Sequence, residues 1–193
     1  MNYLAHLYLS GLNDNVRFGN MIGDFVKGNN YKNFPEDIKK GILLHRDIDS
    51  YTDRHKIISE SKKLFAPKYH KHAGIVIDIV FDHFLARNWE IYSEKNLQAF
   101  ARHAYLILVR NHKLIPSKVK YFLPFMIVNN WLVSYKNIEF IRKVFTRMPY
   151  RTSLPDESKF CMETFKNNYD WLENNFFTFF SELMKYVNEK HNP

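Results

Sequence analysis

The chain has 193 residues, of which 46% are hydrophobic and 17% aromatic, with a formal net charge of +8. That apolar content can close one sizeable core against the entropy of ordering the chain, which excludes disorder and makes a single domain over residues 1–193 the expectation. Six Gly and seven Pro are too few for the many turns of a sandwich or barrel, so an all-α, compact helical domain is expected.

From the N-terminus, "MNYLAHLYLSG" lacks a basic leading region and carries His6 inside its apolar part, so it does not read as a signal peptide. In "PEDIKKGILLHRDIDSYTDRH" apolar residues recur at Ile38, Ile42, Leu44, Ile48 and Tyr51, and Pro35 stands where a helix would begin; a helix is predicted. A second runs from about Ala73 to Tyr92, its length overriding the strand-like "IVIDIV" near its start. "NLQAFARHAYLILVRNH" gives a third, and after Pro116 the segment "KVKYFLPFMIVNNWLVSY" is expected to break or kink at Pro124. "KNIEFIRKVFTRM" is a further amphipathic helix ending before Pro149, and the stretch from Pro155 to Lys190 reads as one long final helix with an acidic first turn. No apolar run reaches the roughly 20 residues of a membrane span, so no membrane insertion is expected.

Cys161 is the only cysteine, which excludes an intramolecular disulfide, a cysteine zinc site and a CxxC redox pair, and fits a cytoplasmic protein. The positive charge favours a polyanionic partner: nucleic acid, an anionic membrane face or an acidic protein. No nucleic-acid motif accompanies the scattered lysines, which disfavours the first; a solvated, lysine-rich surface is the plain alternative.

The informative residues are polar ones set in apolar stretches: His6, Asn20, Asp24, His45, Asp49, Asp78, Asp82 and His83. Asn20 with Asp24, His45 with Asp49, and Asp78 with Asp82 are four apart, so each pair shares one face of a helix. Several buried carboxylates raise one another's pKa and are each penalised by desolvation, and a divalent cation removes both penalties. Imidazole with carboxylate suits Mn, Fe, Zn or Mg, and such a site can polarise a phosphoryl oxygen and activate a water. Simpler readings exist for several of these positions. His6 could be a core histidine, Asn20 and Asp24 could cap turns near Gly19 and Gly23, and His45 and Asp49 could pair with Arg46 or Arg54 on a solvated face. Asp78 and Asp82 resist such readings because their helix is otherwise nearly all apolar. His55, His70, His72, His103, His112 and His191 read as surface or structural. No GxSxG elbow, P-loop or dinucleotide fingerprint occurs.

"NYLAHLYLS", "GNMIGDFVKG", "GILLHRDIDSYTD", "DIVFDHFLARNW" and "WLVSYKNIEFIRKVF", in that order and spacing, resemble the acyl carrier protein phosphodiesterase family over most of residues 1–151. The resemblance implies an all-helical bundle like that of the HD metal-dependent phosphohydrolases. It implies removal of the 4'-phosphopantetheine arm from the serine of holo acyl carrier protein, with manganese as cofactor and magnesium or iron(II) as substitutes. Carried over by position, it implies Asp24, His45, Asp49 and Asp82 as the ligand core, with His6 and His83 as either ligands or proton carriers for the leaving serine oxygen and Asp24 counted among the catalytic residues as well. Asn20, Asp78, Arg46, Arg54 and Arg151 then become substrate-binding candidates, the arginines as anion clamps. Family members often carry further histidines where this chain has Tyr8 and Leu43, so those positions are not ligands here. Acyl carrier proteins are strongly acidic, and a basic rim would steer them in. Two readings stand beside this one: an HD-like phosphohydrolase acting on a nucleotide or other small phosphoester, and a non-enzymatic basic helical binding module.

Overall fold

Helix α5 (Ala73–Arg87) buries 11 of its 15 residues, among them Val76, Ile77, Val80, Phe81, Phe84 and Leu85, and a helix apolar on nearly all sides has to lie in the middle of its domain. The computed structural model describes residues 2–150 and 152–191 and contains no strand among them. The other helices are α1 (Tyr3–Tyr8), α2 (Asp14–Ile22), α3 (Glu36–Arg54), α4 (Lys56–Tyr69), α6 (Trp89–Tyr92), α7 (Leu97–Arg110), α8 (Ser117–Val128), α9 (Trp131–Ser134), α10 (Ile138–Arg147), α11 (Ser158–Asn167) and α12 (Tyr169–His191), of which α1, α4, α10 and α12 pack against α5. The expected all-helical architecture is thus present.

The C-terminal α12 lies against α5 through aromatic rings. Phe81 meets Phe176 and Phe179 at centroid distances of 5.6 and 5.7 Å, and Phe84 meets Phe176 at 5.9 Å. Phe81, Phe84, Phe176, Phe179 and Phe180 have no exposed surface, so their burial carries much of the hydrophobic stabilisation, and the tilted ring geometry adds to it. All buried apolar side chains belong to one continuous cluster. Helices α2 and α3 approach more closely than side chains usually permit. A methyl group on Gly19 would overlap the carbonyl of Ile38, and one on Gly41 would overlap that of Val16, so two glycines set the distance between these helices.

Asparagine does the punctuating that Gly and Pro do in other sequences. Asn2, Asn13, Asn96 and Asn137 cap the N-termini of α1, α2, α7 and α10 by accepting from first-turn amides. Asn88, Asn111, Asn129 and Asn168 stand at helix C-termini, each donating from Nδ2 to the carbonyl four residues back, at 2.8–3.1 Å. Three expected boundaries shift as a result. The helix from Ala73 divides at Asn88 into α5 and α6, and the long C-terminal helix divides at Asn168 into α11 and α12. The break expected at Pro124 falls instead at Asn129 and Asn130, the latter left-handed with φ 44°, while α8 runs through the proline. Pro124 sits on the exposed side of α8, where water can satisfy the carbonyl deprived of its donor. No helix among the described residues is long and apolar enough to cross a membrane.

Candidate metal centre and active site

Three elements meet where α1, α2 and α3 converge, beside the short 3-10 turn Gly23–Phe25 that follows α2. Helix α1 brings His6, α2 brings Asn20, the turn brings Asp24, and α3 brings His45 and Asp49 one turn apart on one face. The imidazoles of His6 and His45 stack with centroids 4.1 Å apart and planes 21° from parallel. Both lean on one atom: Asn20 Oδ1 lies 2.8 Å from His6 Nδ1 and 3.2 Å from His45 Nδ1. An amide oxygen only accepts, so both rings carry their proton on Nδ1 towards Asn20 and turn Nε2 the other way. Asn20 itself has no exposed surface, and its Nδ2 donates to the His6 carbonyl at 2.9 Å and to Ser10 Oγ at 2.8 Å. Ser10 Oγ in turn donates to the same carbonyl at 2.7 Å.

The outward-turned Nε2 atoms face carboxylates. His6 Nε2 is 3.2 Å from Asp49 Oδ1, and His45 Nε2 is 3.1 Å from Asp49 Oδ2 and 3.3 Å from Asp24 Oδ1. These contacts are close in distance but poorly aligned for His45, whose buried Nε2 has no hydrogen-bond partner. The electrostatics are strongly coupled. Burial opposes protonation of His45, yet the flanking Asp24 and Asp49 carboxylates outweigh it and push the imidazolium pKa up to about 9. His6 shifts the opposite way, because burial and the neighbouring His45 charge both disfavour a second cation. Burial raises the Asp49 pKa, but the His45 and His6 imidazoles against it outweigh burial and hold it well below the usual carboxylate range. Asp24 is lowered as well, chiefly by the His45 imidazole beside it and against burial.

This donor set fits a divalent cation. One ligand atom each from His6, His45 and Asp49 lies within 4.8 Å of the others, all are nitrogen or oxygen, and His45 Nε2 is a buried donor atom with nothing aligned to it. A proton on His45 and a metal ion answer the same demand of the two carboxylates. A cleft of about 20 Å³ opens on the cluster, lined by Asn2, Tyr3, His6, Asn20, Met21, Asp24 and His45, with room for about one water-sized sphere. A larger hollow of about 470 Å³ lies among Arg87, Trp89, Asn96, Arg102 and Lys136 and shares no residue with the cluster; the chemistry, not the volume, locates the site.

Asp82 and His83 are not brought into this cluster. Asp82 has no exposed surface, and its two oxygens accept from the backbone amides of Leu4 at 2.8 Å and Ala5 at 3.2 Å. It therefore closes the first turn of α1 from α5, satisfying amides that a six-residue helix leaves open. Burial raises its pKa to about 7 against the pull of those amides. Asp78 lies one turn earlier on α5, half-buried, and its charge adds to that rise. His83 donates from Nδ1 to the Tyr135 carbonyl at 2.8 Å and receives Tyr169 Oη at 2.9 Å on Nε2, tying α5 to the segment after α9 and to α12. Burial lowers its pKa to about 4.

Arg46 donates to the carbonyls of Val26 and Gly28 at 2.9 and 2.7 Å and lies over the Tyr31 ring, so it fastens the loop after Asp24 onto α3. Arg54 donates from Nε to Ser50 O within its own helix. Arg151 lies outside the described residues. Tyr8 donates to the Tyr92 carbonyl at 3.0 Å, away from the cluster, and Leu43 is exposed. Three contributors escaped the sequence reading. Tyr3 walls the cleft one helical turn before His6. Ser10 completes the Asn20 network. Gly23 lies against His45 so closely that a Cβ there would overlap the imidazole.

Residues 1–183 match the family of acyl carrier protein phosphodiesterases. Proteins named acyl carrier protein phosphodiesterase are similar along the chain. That of Enterobacter sp. (strain 638) is 32% identical over 191 residues, covering 98% of this chain and 99% of its own. That of Salmonella paratyphi A is 33% identical over 185 residues, 95% and 96% of the two chains. That of Photorhabdus laumondii is 36% identical over 152 residues, 78% and 77% of the two. No solved structure matches. With a match over nearly its whole length, the chain belongs to the acyl carrier protein phosphodiesterase family.

Proposed function

We propose that the cluster is the active site of a phosphodiesterase that cleaves the bond between 4'-phosphopantetheine and the serine of holo acyl carrier protein, leaving the apo protein. The observation that carries this reading is the pairing of two stacked imidazoles that line a narrow cleft, both turned by Asn20 so that Nε2 faces the Asp49 carboxylate. His6, His45 and Asp49 would hold one divalent ion, manganese first and magnesium or iron(II) as substitutes, with Asp24 completing the set. An ion held by these residues would supply polarisation of a phosphoryl oxygen and a lowered pKa for a water. Asp24 has the most exposed side chain of the four, at 61%, and is the carboxylate placed to take a proton from the attacking water or return it to the leaving serine oxygen. Tyr3 stays a phenol, since burial and then the nearby Asp24 charge raise its pKa, and it can donate to a phosphate oxygen. The joint use of His and Asp on a helical scaffold is the chemistry of HD-like phosphohydrolases, and the single buried thiol of Cys161 suits a cytoplasmic location.

The test is mass spectrometry of holo acyl carrier protein after incubation with the purified chain and Mn2+. Loss of the prosthetic arm is the expected result, and chelator should prevent it. Carrier protein that stays intact while a nucleotide or small phosphodiester is hydrolysed would move the assignment to another phosphohydrolase. Elemental analysis without a stoichiometric metal, together with no hydrolysis at all, would favour a binding module.

A further inference from the structure

The positive charge of this chain is concentrated in one segment of the sequence. Residues 95–138 contain seven Lys and Arg and no Asp or Glu, leaving 21 basic against 20 acidic residues in all the rest. Nearly the whole net charge therefore resides on the segment that carries α7 and α8, with Arg102 and Arg110 on the first, Lys118 and Lys120 on the second, and Lys95, Lys113 and Lys136 in the connections around them. The same segment holds six of the twelve large apolar side chains exposed among the described residues, Leu106, Val109, Leu114, Tyr121, Phe125 and Val128. On α8 the side chains of Lys118, Tyr121, Phe125 and Val128 follow at intervals of three, four and three residues and form one stripe. Tyr121 and Val128 are 75% and 84% exposed, an unusual investment of apolar surface for a helix whose opposite face, Val119, Leu123 and Met126, is fully used in the core.

This helix also borders the cleft. Phe122, next to Tyr121, contacts Tyr3 and Phe25 with ring centroids 5.9 and 5.8 Å away, and Tyr3 walls the metal-binding cluster while Phe25 follows Asp24. A partner seated on the stripe would thus lie beside the opening through which a tethered phosphodiester has to enter. We propose that the outer face of α7 and α8 is the docking surface for the acidic helical surface of the carrier protein, the aliphatic and aromatic stripe supplying contact area and the surrounding lysines supplying charge complementarity. This rests on the function proposed above, but it concerns where the protein part of the substrate sits rather than what is cleaved. The occupant is a folded acidic protein rather than nucleic acid because four of the six exposed apolar side chains, Leu106, Val109, Leu114 and Val128, are aliphatic and offer a base no ring to stack on.

The experiment measures binding of fluorescently labelled bacterial apo acyl carrier protein, which needs no turnover, to the full chain and to three double variants. Lys113→Glu with Lys118→Glu, and Tyr121→Ser with Val128→Ser, should each weaken binding tenfold or more. Lys56→Glu with Lys185→Glu, exposed positions outside the segment, should stay within twofold. Wild-type affinity should fall steadily as salt rises from 20 to about 200 mM, as screening of an exposed charge pattern requires. With holo carrier protein as substrate, the first two variants should raise KM with kcat retained, and hydrolysis of bis(p-nitrophenyl) phosphate should be unchanged. The proposal is overturned if those variants bind like wild type, if the control pair loses as much, or if the chain binds anionic vesicles or a single-stranded oligonucleotide and not the carrier protein. Failure to remove the prosthetic arm while apo carrier protein still binds through this face would sink the assigned reaction and leave the docking surface standing.

Discussion

His6 and His45 come from helices 39 positions apart in the chain, yet their Nδ1 atoms share a single Asn20 oxygen and their rings stack at 4.1 Å. One amide thus fixes the tautomer and the orientation of both. Asn20→Leu leaves two buried Nδ1–H donors without an acceptor, which should destabilise the protein by about 1–3 kcal/mol per stranded donor at most. It should also weaken metal affinity by roughly 10–100-fold, as loss of an outer partner of metal-bound histidines typically does. Titration with Mn2+ followed by electron paramagnetic resonance reads the second effect, and an affinity equal to wild type would show that the rings hold their orientation without Asn20.

Asp49 and Asp82 are both aspartates one helical turn from another polar residue, but they face different groups. Asp49→Ala removes the carboxylate that both Nε2 atoms approach, so turnover should fall by at least about 100-fold and bound metal should be lost while the helical circular dichroism stays. Asp82→Ala removes the acceptor of two amides of α1 and should mainly lower the unfolding midpoint, with metal retained at low temperature. Equal metal loss in the two variants, measured before any unfolding, would contradict the separation.

Gly23→Ala is a test of packing at the centre. A methyl group there overlaps the His45 ring, so the imidazole or the turn bearing Asp24 has to move. The expected result is a loss of about 1–3 kcal/mol in stability and a drop of roughly tenfold or more in turnover. Activity within twofold of wild type would mean that the ring position is not critical.

Asp82 and His83 should leave opposite marks on the pH dependence of stability. The Asp82 pKa rises from about 3.9 in the unfolded chain to about 7 in the fold, so its contribution is complete below pH 4 and is lost as pH climbs through 7. The His83 pKa falls from about 6.5 to about 4, so its contribution is complete above 6.5 and is lost as pH drops through 4. Each spans about 3–4 kcal/mol at most, and between pH 4 and 6.5 the two slopes oppose each other. Asp82→Asn should uncover the histidine slope: the variant gains stability from pH 4.5 to 6.5 more steeply than wild type, and the gap between them narrows up to pH 7. Parallel urea midpoints across this range would refute the raised aspartate.

The sequence reveals part of this arrangement and hides the rest for physical reasons. Helices α3, α5 and α7 are readable because their apolar faces recur at helical period, and the His45–Asp49 pair is readable because four-residue spacing aligns two side chains. Helix α4 carries Pro67 and a lysine-rich outer face that blurs its period, so its sequence does not announce a helix. The breaks at Asn88, Asn129 and Asn168 look continuous in sequence because asparagine is tolerated within helices as well as at their ends. In sequence Asp82 reads as a ligand because a carboxylate on an apolar helix needs a counterpart. That counterpart is a pair of amides 77 and 78 residues away, which no spacing rule announces.

The glycine contact between α2 and α3 bears on how the site can respond to substrate. With Gly19 and Gly41 pressed against opposing backbone, neither helix can slide or roll without steric overlap, so Asn20, His45 and Asp49 form one stiff block. Asp24 hangs from a single 3-10 turn outside that block, secured through Arg46 and the loop it grips. If the proposed site is correct, adjustment to an incoming phosphodiester falls to the acid at the rim, with His45 as the fixed anvil and His6 tied to it through Asn20.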